Sequence, residues 1–235
     1  MSGWGIAINN LEREVAHAGV EVALNSAATM ESLRAGGADE IVIATGSAYE
    51  GTGLSLYRPD RVEIPGYDLE HVLDVGTAAR TVLDDPHALG KNVLILDETG
   101  SHLPFSVAQM LATAGVTVEV LSPRMYAGER IYRNLDILYI FPRLKQLGVR
   151  ITHQHFVEAI RPSEVDVYDI WAGPAAIETR TAIDSVVMSI LRIPNDALFN
   201  TAHAELANVT RIGDAAAPRD VTAVIYDGEE LGRRL

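Results

Sequence analysis

Two short segments carry residue types that could touch a cofactor. Ile41–Ala44 is an apolar run that leads into Thr45-Gly46, and a small residue with a glycine at the end of a strand lets backbone approach a bound dinucleotide closely. The same residues also read as a plain strand-to-loop turn. Further on, Thr210-Arg211-Ile212 leads into Gly213-Asp214. A strand ending in Gly-Asp sets a carboxylate at the carboxyl edge of a sheet, where open α/β sheets bind ligands. Such a carboxylate can accept hydrogen bonds from ribityl or ribose hydroxyls, or it can simply be a turn residue. A helix starting near Val221 and Thr222 would aim its N-terminus at the same ligand and favour negative charge there.

Other candidates are less pointed. His153 and His155 alternate, so on one strand they would share a face and could ligate a metal, but no third ligand is identifiable. A solvated strand face is the plainer and preferred account of them. Tyr126, Tyr132, Tyr139 and Phe141 are interleaved with Arg124, Arg130, Arg133 and Arg143, a mixture that suits either a docking face or a plain amphipathic helix. No Gly-x-Ser-x-Gly nucleophile elbow occurs.

The elements that must position these residues follow a repeating grammar. Leu11–Ala18, Val107–Ala114 and Phe141–Leu147 have apolar residues at helical spacing, and each precedes a glycine and a β-branched run: Gly19–Val22, Gly115–Val118 and Gly148–Ile151. A glycine after the last turn takes the left-handed conformation without a Cβ penalty, and the β-branched run then reads as a strand. Helix, glycine and strand three times over predicts an α/β fold with a largely parallel sheet. Glu40–Ala44, Asn92–Leu96 and Ser185–Met188 read as strands buried on both faces. Thr29 is the expected N-cap of a short helix, and residues 45–68 read as loop. Phe156–Ile160, Val165–Ile170 and Ala176–Thr181 predict a β-meander, and a helix is expected over about Val221–Arg233. The boundaries expected from this grammar are a continuous nucleotide-type unit over 86–193 and a second, interrupted unit over 1–85 and 194–235.

Composition narrows the function classes. The chain has 235 residues, enough for one large or two small domains with a core of their own. Its net charge of −13 opposes a nucleic-acid or anionic-membrane surface, which wants clustered positive charge. There is no cysteine, so disulfides, thiolate zinc and iron–sulfur ligation cannot come from these residues. No apolar run approaches the roughly 18 residues of a bilayer span, and no basic n-region opens the chain. The resulting expectation is a soluble, cytoplasmic, acidic protein.

The Thr45-Gly46 strand end and the terminal run Ile212-Gly213-Asp214-Ala215, Ala217-Pro218-Arg219 and Ala223–Gly228 together resemble the C-terminal region of a flavoenzyme family. That family is the trimethylamine dehydrogenase and 2,4-dienoyl-CoA reductase group of NADH:flavin oxidoreductases. Ile64-Pro65-Gly66-Tyr67-Asp68, His71-Val72-Leu73 and Arg192–Leu198 extend the similarity over nearly all of the chain. The resemblance implies a Rossmann-like FAD- or ADP-binding domain interrupted by an NAD(P)-binding-like domain. It also implies a separate barrel carrying FMN and a 4Fe–4S cluster. The resemblance then assigns Thr45, Gly46, Gly213 and Asp214 to the FAD- or ADP-type site, which the helix start at Val221 and Thr222 would adjoin. It assigns residues near Asp97–His102, with Gly100 and Ser101, to the NAD(P)-type turn.

Departures from the family pattern shape the expectation. No Gly-x-Gly-x-x-Gly precedes Ala38, so the principal pyrophosphate cradle, with the first βαβ unit, is read as missing. At the second turn only Gly100 remains, and Asp97 and Glu98 put negative charge where a diphosphate would lie. No acidic residue follows Leu121-Ser122-Pro123-Arg124 to meet a ribose hydroxyl, although Arg124 could suit a 2′-phosphate. The expected role is a dinucleotide-binding region or subunit that helps hold ADP or FAD and docks, as a hetero-oligomer, on an FMN and iron–sulfur barrel partner. The alternatives are a self-contained NAD(P)H-dependent flavin reductase and a non-enzymatic interaction module with decayed nucleotide sites.

Overall fold

The computed structural model describes residues 2–235. In chain order its helices are α1 (Ser2–His17), α2 (Met30–Gly36), α3 (Val75–Asp84), α4 (His102–Thr113), α5 (Glu129–Arg133), α6 (Ile137–Gln146), α7 (Ala197–Glu205) and α8 (Val221–Gly232). The strands are β1 (Ile41–Ile43), β2 (Ser47–Tyr49), β3 (Val72–Asp74), β4 (Asn92–Asp97), β5 (Thr117–Ser122), β6 (Arg150–His153), β7 (His155–Arg161), β8 (Glu164–Asp169), β9 (Ile177–Thr181), β10 (Ser185–Ser189), β11 (Arg192–Pro194) and β12 (Val209–Arg211). Two compact units result, one of residues 1–43 and 197–211, the other of residues 44–196 and 212–235.

The larger unit is a mixed α/β structure around a five-stranded sheet of order β3-β10-β4-β5-β6, parallel throughout. Alternation along β4 divides its core. Val93 and Ile95 face one side with Val82 of α3, Phe105 and Leu111 of α4 and Leu144 of α6. Leu94 and Leu96 face the other, against Phe156, Val165 and Val167 of the antiparallel β7-β8-β9 sheet. Because β4 and β10 are covered on both faces, every residue of β10 and all but the first of β4 are buried, as parallel central strands require. β2 pairs antiparallel with β11, so the segment read as loop over 45–68 contains a short strand. β3 is hydrogen-bonded to β10, which draws residues 72–84 into this unit and moves its start well before residue 86.

The smaller unit has one parallel pair, β1 with β12, packed by Met30 and Leu33 of α2 and Leu198, Phe199 and Ala202 of α7. Thr29 caps α2 as expected, accepting from the Ser32 N–H at 3.2 Å, while the Ser32 hydroxyl receives the Thr29 N–H. Two expectations are corrected here. Ile41–Ala44 is not a strand buried on both faces: only Ile43 is buried and Val42 is exposed, since β1 has a single partner strand. Gly19 has φ +69°, as a helix-ending glycine should, yet Val20 and Val22 form no strand and lie exposed. An alternating pattern makes a strand only where another strand is present to pair with it.

Candidate functional site

The loop after β1 is tied to the end of β11. The Thr45 hydroxyl donates to the Asn195 carbonyl, Asn195 N–H donates to the Gly46 carbonyl at 2.9 Å, and the Asn195 side-chain amide donates to the Thr45 carbonyl at 3.2 Å. Gly46 has φ +74° with open space where a side chain would start, so its glycine serves conformation and leaves room beside the backbone.

The two expected segments meet at Asp214. The Ser47 hydroxyl donates to Asp214 Oδ2 at 3.0 Å, the Arg192 guanidinium donates to the same oxygen, and the Arg219 N–H donates to Oδ1 at 3.0 Å. An ionised carboxylate offers about four lone-pair positions, so three bonds leave roughly one, on Oδ1, for a further hydroxyl. This fits a ribityl or ribose hydroxyl. It does not extend to a diphosphate. Gly213, at φ +62°, has its N–H taken by the Asp227 carboxylate at 3.0 Å, and Asp227 is itself paired with Arg219. The N-terminus of α8, with Val221 and Thr222 exposed in its first turn, is capped by Asp220, which accepts from Ala223 N–H. A capping carboxylate already occupies the position an anionic ligand would want.

The turn after β4 is closed in a different way. Asp97 Oδ1 accepts the Gly100 N–H and the Thr99 hydroxyl, both at 2.9 Å. Gly100 has φ +61°, and its carbonyl accepts from the backbone of Arg130 at the start of α5. A Cβ at Gly100 would lie 2.9 Å from the Glu129 nitrogen, so the glycine is needed for this close approach. Ser101 stands at the N-cap of α4 with no side-chain capping bond. Burial pushes Asp97 up to about 6 and Glu98 up to about 7, the first against the Gly100 N–H and the Thr99 hydroxyl, the second against Ser55 and Arg124. Two buried carboxyl groups and a consumed amide do not fit a diphosphate at this turn.

Beside this turn lies a cleft of about 420 Å³ within the larger unit, at the carboxyl ends of β4, β5 and β10. Glu98 and Thr99 follow β4, Arg124 follows β5, and Ile190 and Leu191 follow β10. Arg124 does not stand free for a 2′-phosphate: it donates to the Glu98 carbonyl at 2.6 Å and pairs with Glu129. Sequence reasoning named neither Ser47 nor Arg192 as partners of Asp214, because 167 and 22 residues separate the pairs. A readable signal did exist for Asp97, since an Asp three residues before a glycine is the pattern of a side chain closing its own turn.

The histidine pair is also corrected. His153 ends β6 and His155 begins β7, with Gln154 at φ +59° between them, so they share no strand face. His153 Nδ1 accepts the Ala127 N–H at 2.9 Å, and burial lowers its pKa. Of the aromatic stretch, Phe141 packs on Phe105 at 5.4 Å, whereas Tyr126, Tyr132 and Tyr139 are exposed. No helix among the described residues is long and apolar enough to cross a membrane.

Residues 77–186 match the family described as the OYE-like second alpha/beta domain. The chain is 29% identical to a probable N-methylproline demethylase of Rhizobium meliloti (strain 1021), over 91% of this chain and 33% of that protein. It is 26% identical to the dimethylamine dehydrogenase of Hyphomicrobium sp. (strain x), over 85% of this chain and 30% of that one. The structure of histamine dehydrogenase from Rhizobium sp. 4-9 superposes with a TM-score of 0.88 at 27% identity, covering all of this chain and 36% of the other. The chain thus spans about a third of the length of the curated relatives it matches. Together these findings support a relation to the NADH:flavin oxidoreductases.

Proposed function

We propose that this chain is the dinucleotide-binding region, or a separate subunit, of a trimethylamine dehydrogenase-like flavin-dependent oxidoreductase. It helps hold the sugar portion of ADP or FAD and docks on a barrel that carries FMN and an iron–sulfur cluster. The carrying observation is Asp214: Ser47, Arg192 and Arg219 fix its carboxylate and leave one acceptor position for a hydroxyl. At each candidate turn the glycine amide is already taken, Gly100 N–H by Asp97 and Gly213 N–H by Asp227. Redox chemistry then belongs to groups outside these residues, which include no cysteine to ligate a cluster. The name of the dimethylamine dehydrogenase relative supports an amine as the substrate class of the longer assembly. The closed turn after β4 speaks against a self-contained NAD(P)H-dependent reductase.

Calorimetric titration of the purified chain with ADP, FAD and NADPH tests this reading. Weak binding of ADP or FAD that Asp214→Ala abolishes, with no NADPH binding, is the expected result. Tight stoichiometric binding of NADPH would overturn it.

A further inference from the structure

The cleft beside the β4 turn has a charge balance of its own. Three arginines line it, but two are neutralised, Arg124 by Glu129 and Arg192 by Asp214. Arg130 is exposed on α5, and its guanidinium meets no carboxylate among the described residues. Glu98 also lines the cleft; it is only 4% exposed, and its Oε1 atom has no hydrogen-bond partner. Tyr57, Ile190 and Leu191 give the lining an apolar part, and Thr99 adds a hydroxyl.

We propose that this cleft binds a small organic carboxylate, its charge held by Arg130 and its apolar body laid against Tyr57 and Leu191. One uncompensated cation matches a monoanion, whereas a diphosphate brings two or more charges and calls for backbone amides that this turn has spent on Asp97. Glu98 in its neutral form spares the ligand a like-charge neighbour and has a proton to donate to it. The groups facing Glu98 are Asp97 beside it, Glu50, Ser55 and Tyr57 from the segment after β2, and Arg124 from the segment after β5. Burial outweighs Arg124 and Ser55 and keeps Glu98 substantially protonated up to about pH 7, so binding weakens as the pH rises through that value. The proposal rests on Arg130 and Glu98 rather than on Asp214, although Arg192 lines this cleft and also binds Asp214.

Calorimetry with phenylacetate and its neutral counterpart phenylacetamide tests the proposal on the full chain. Phenylacetate should bind at least about ten times more tightly than the amide, and Arg130→Ala, a surface change, should remove that difference while leaving the amide unaffected. Phenylacetate affinity should fall several-fold between about pH 6 and about pH 8, and Glu98→Gln should flatten that dependence. Equal affinities for acid and amide would overturn the proposal. So would indifference to Arg130→Ala, or NADPH binding that depends on Arg130.

Discussion

Asp97 Oδ1 accepts the backbone N–H of Gly100 at 2.9 Å, so the turn after the central strand closes on its own carboxylate. In a phosphate-cradling turn that amide would point at the ligand. Here it is bound inside the turn by Asp97, and the strand end holds two adjacent buried carboxyl groups.

Those two carboxyl groups make stability depend on pH. Both have folded-state values above their ordinary ones, Asp97 rising from 3.8 to about 6 and Glu98 from 4.5 to about 7, chiefly through burial. A raised carboxyl pKa stabilises the fold while the group is protonated in both states. That contribution is complete below about pH 4 and is lost as the pH climbs through 6 to 7. The melting temperature should therefore decline between about pH 5 and about pH 8. Glu98→Gln, which cannot ionise, should flatten the decline and raise stability at the alkaline end by up to about 3 kcal/mol. An unchanged slope in the variant would show that Glu98 does not titrate in this window.

Removing the Asp214 carboxylate should destabilise the larger unit. Asp214→Ala leaves the Arg192 cation, whose side chain is 25% exposed, without its carboxylate, and takes an acceptor from both Ser47 and Arg219. A loss of about 2–4 kcal/mol in urea unfolding is expected, with Asp214→Asn costing less because it keeps one acceptor oxygen. A loss below about 0.5 kcal/mol in the alanine variant would mean that the network contributes little.

Two glycines with similar φ should respond very differently to alanine. At Gly66, φ +88°, a Cβ would lie 2.1 Å from the Ile160 carbonyl oxygen, which is backbone and cannot swing away. Gly66→Ala should cost about 3 kcal/mol or more, or prevent folding. At Gly46, φ +74°, a Cβ meets nothing within 4 Å, so only the conformational penalty of about 1 kcal/mol applies. Thermal unfolding of the two variants side by side separates the steric cost from the conformational one.

The sequence made the larger unit legible for physical reasons. Val93–Leu96 and Val186–Met188 are apolar without alternation, which only a strand covered on both faces can be, and both lie at the centre of the sheet. Gly115 and Gly148 take φ +89° and +78° at the ends of helices, and strands β5 and β6 follow them. The same reading fails after Gly19, because among the described residues no strand pairs with Val20 and Val22, which lie exposed. β2 was unreadable since a three-residue strand depends on β11, more than 140 residues away, for its pairing. The site followed the same rule. Thr45, Gly46, Gly213 and Asp214 could be named from local pattern. The pairing of Ser47 and Arg192 with Asp214 is a tertiary event with no local signature. The charge at Asp97 could be read as unfavourable to a diphosphate, but its role as acceptor for Gly100 needed the folded turn.

The central claim is that these residues hold part of a nucleotide and leave redox turnover to a partner. The most direct measurement is the rate of NADH and NADPH oxidation by the purified chain with added FAD and ferricyanide as acceptor, together with the flavin absorbance it retains after gel filtration. Oxidation at the protein-free rate and no retained flavin are expected, because Asp97 and Asp227 have taken the amides that would hold a diphosphate. Sustained oxidation with flavin co-eluting in stoichiometric amount would contradict it.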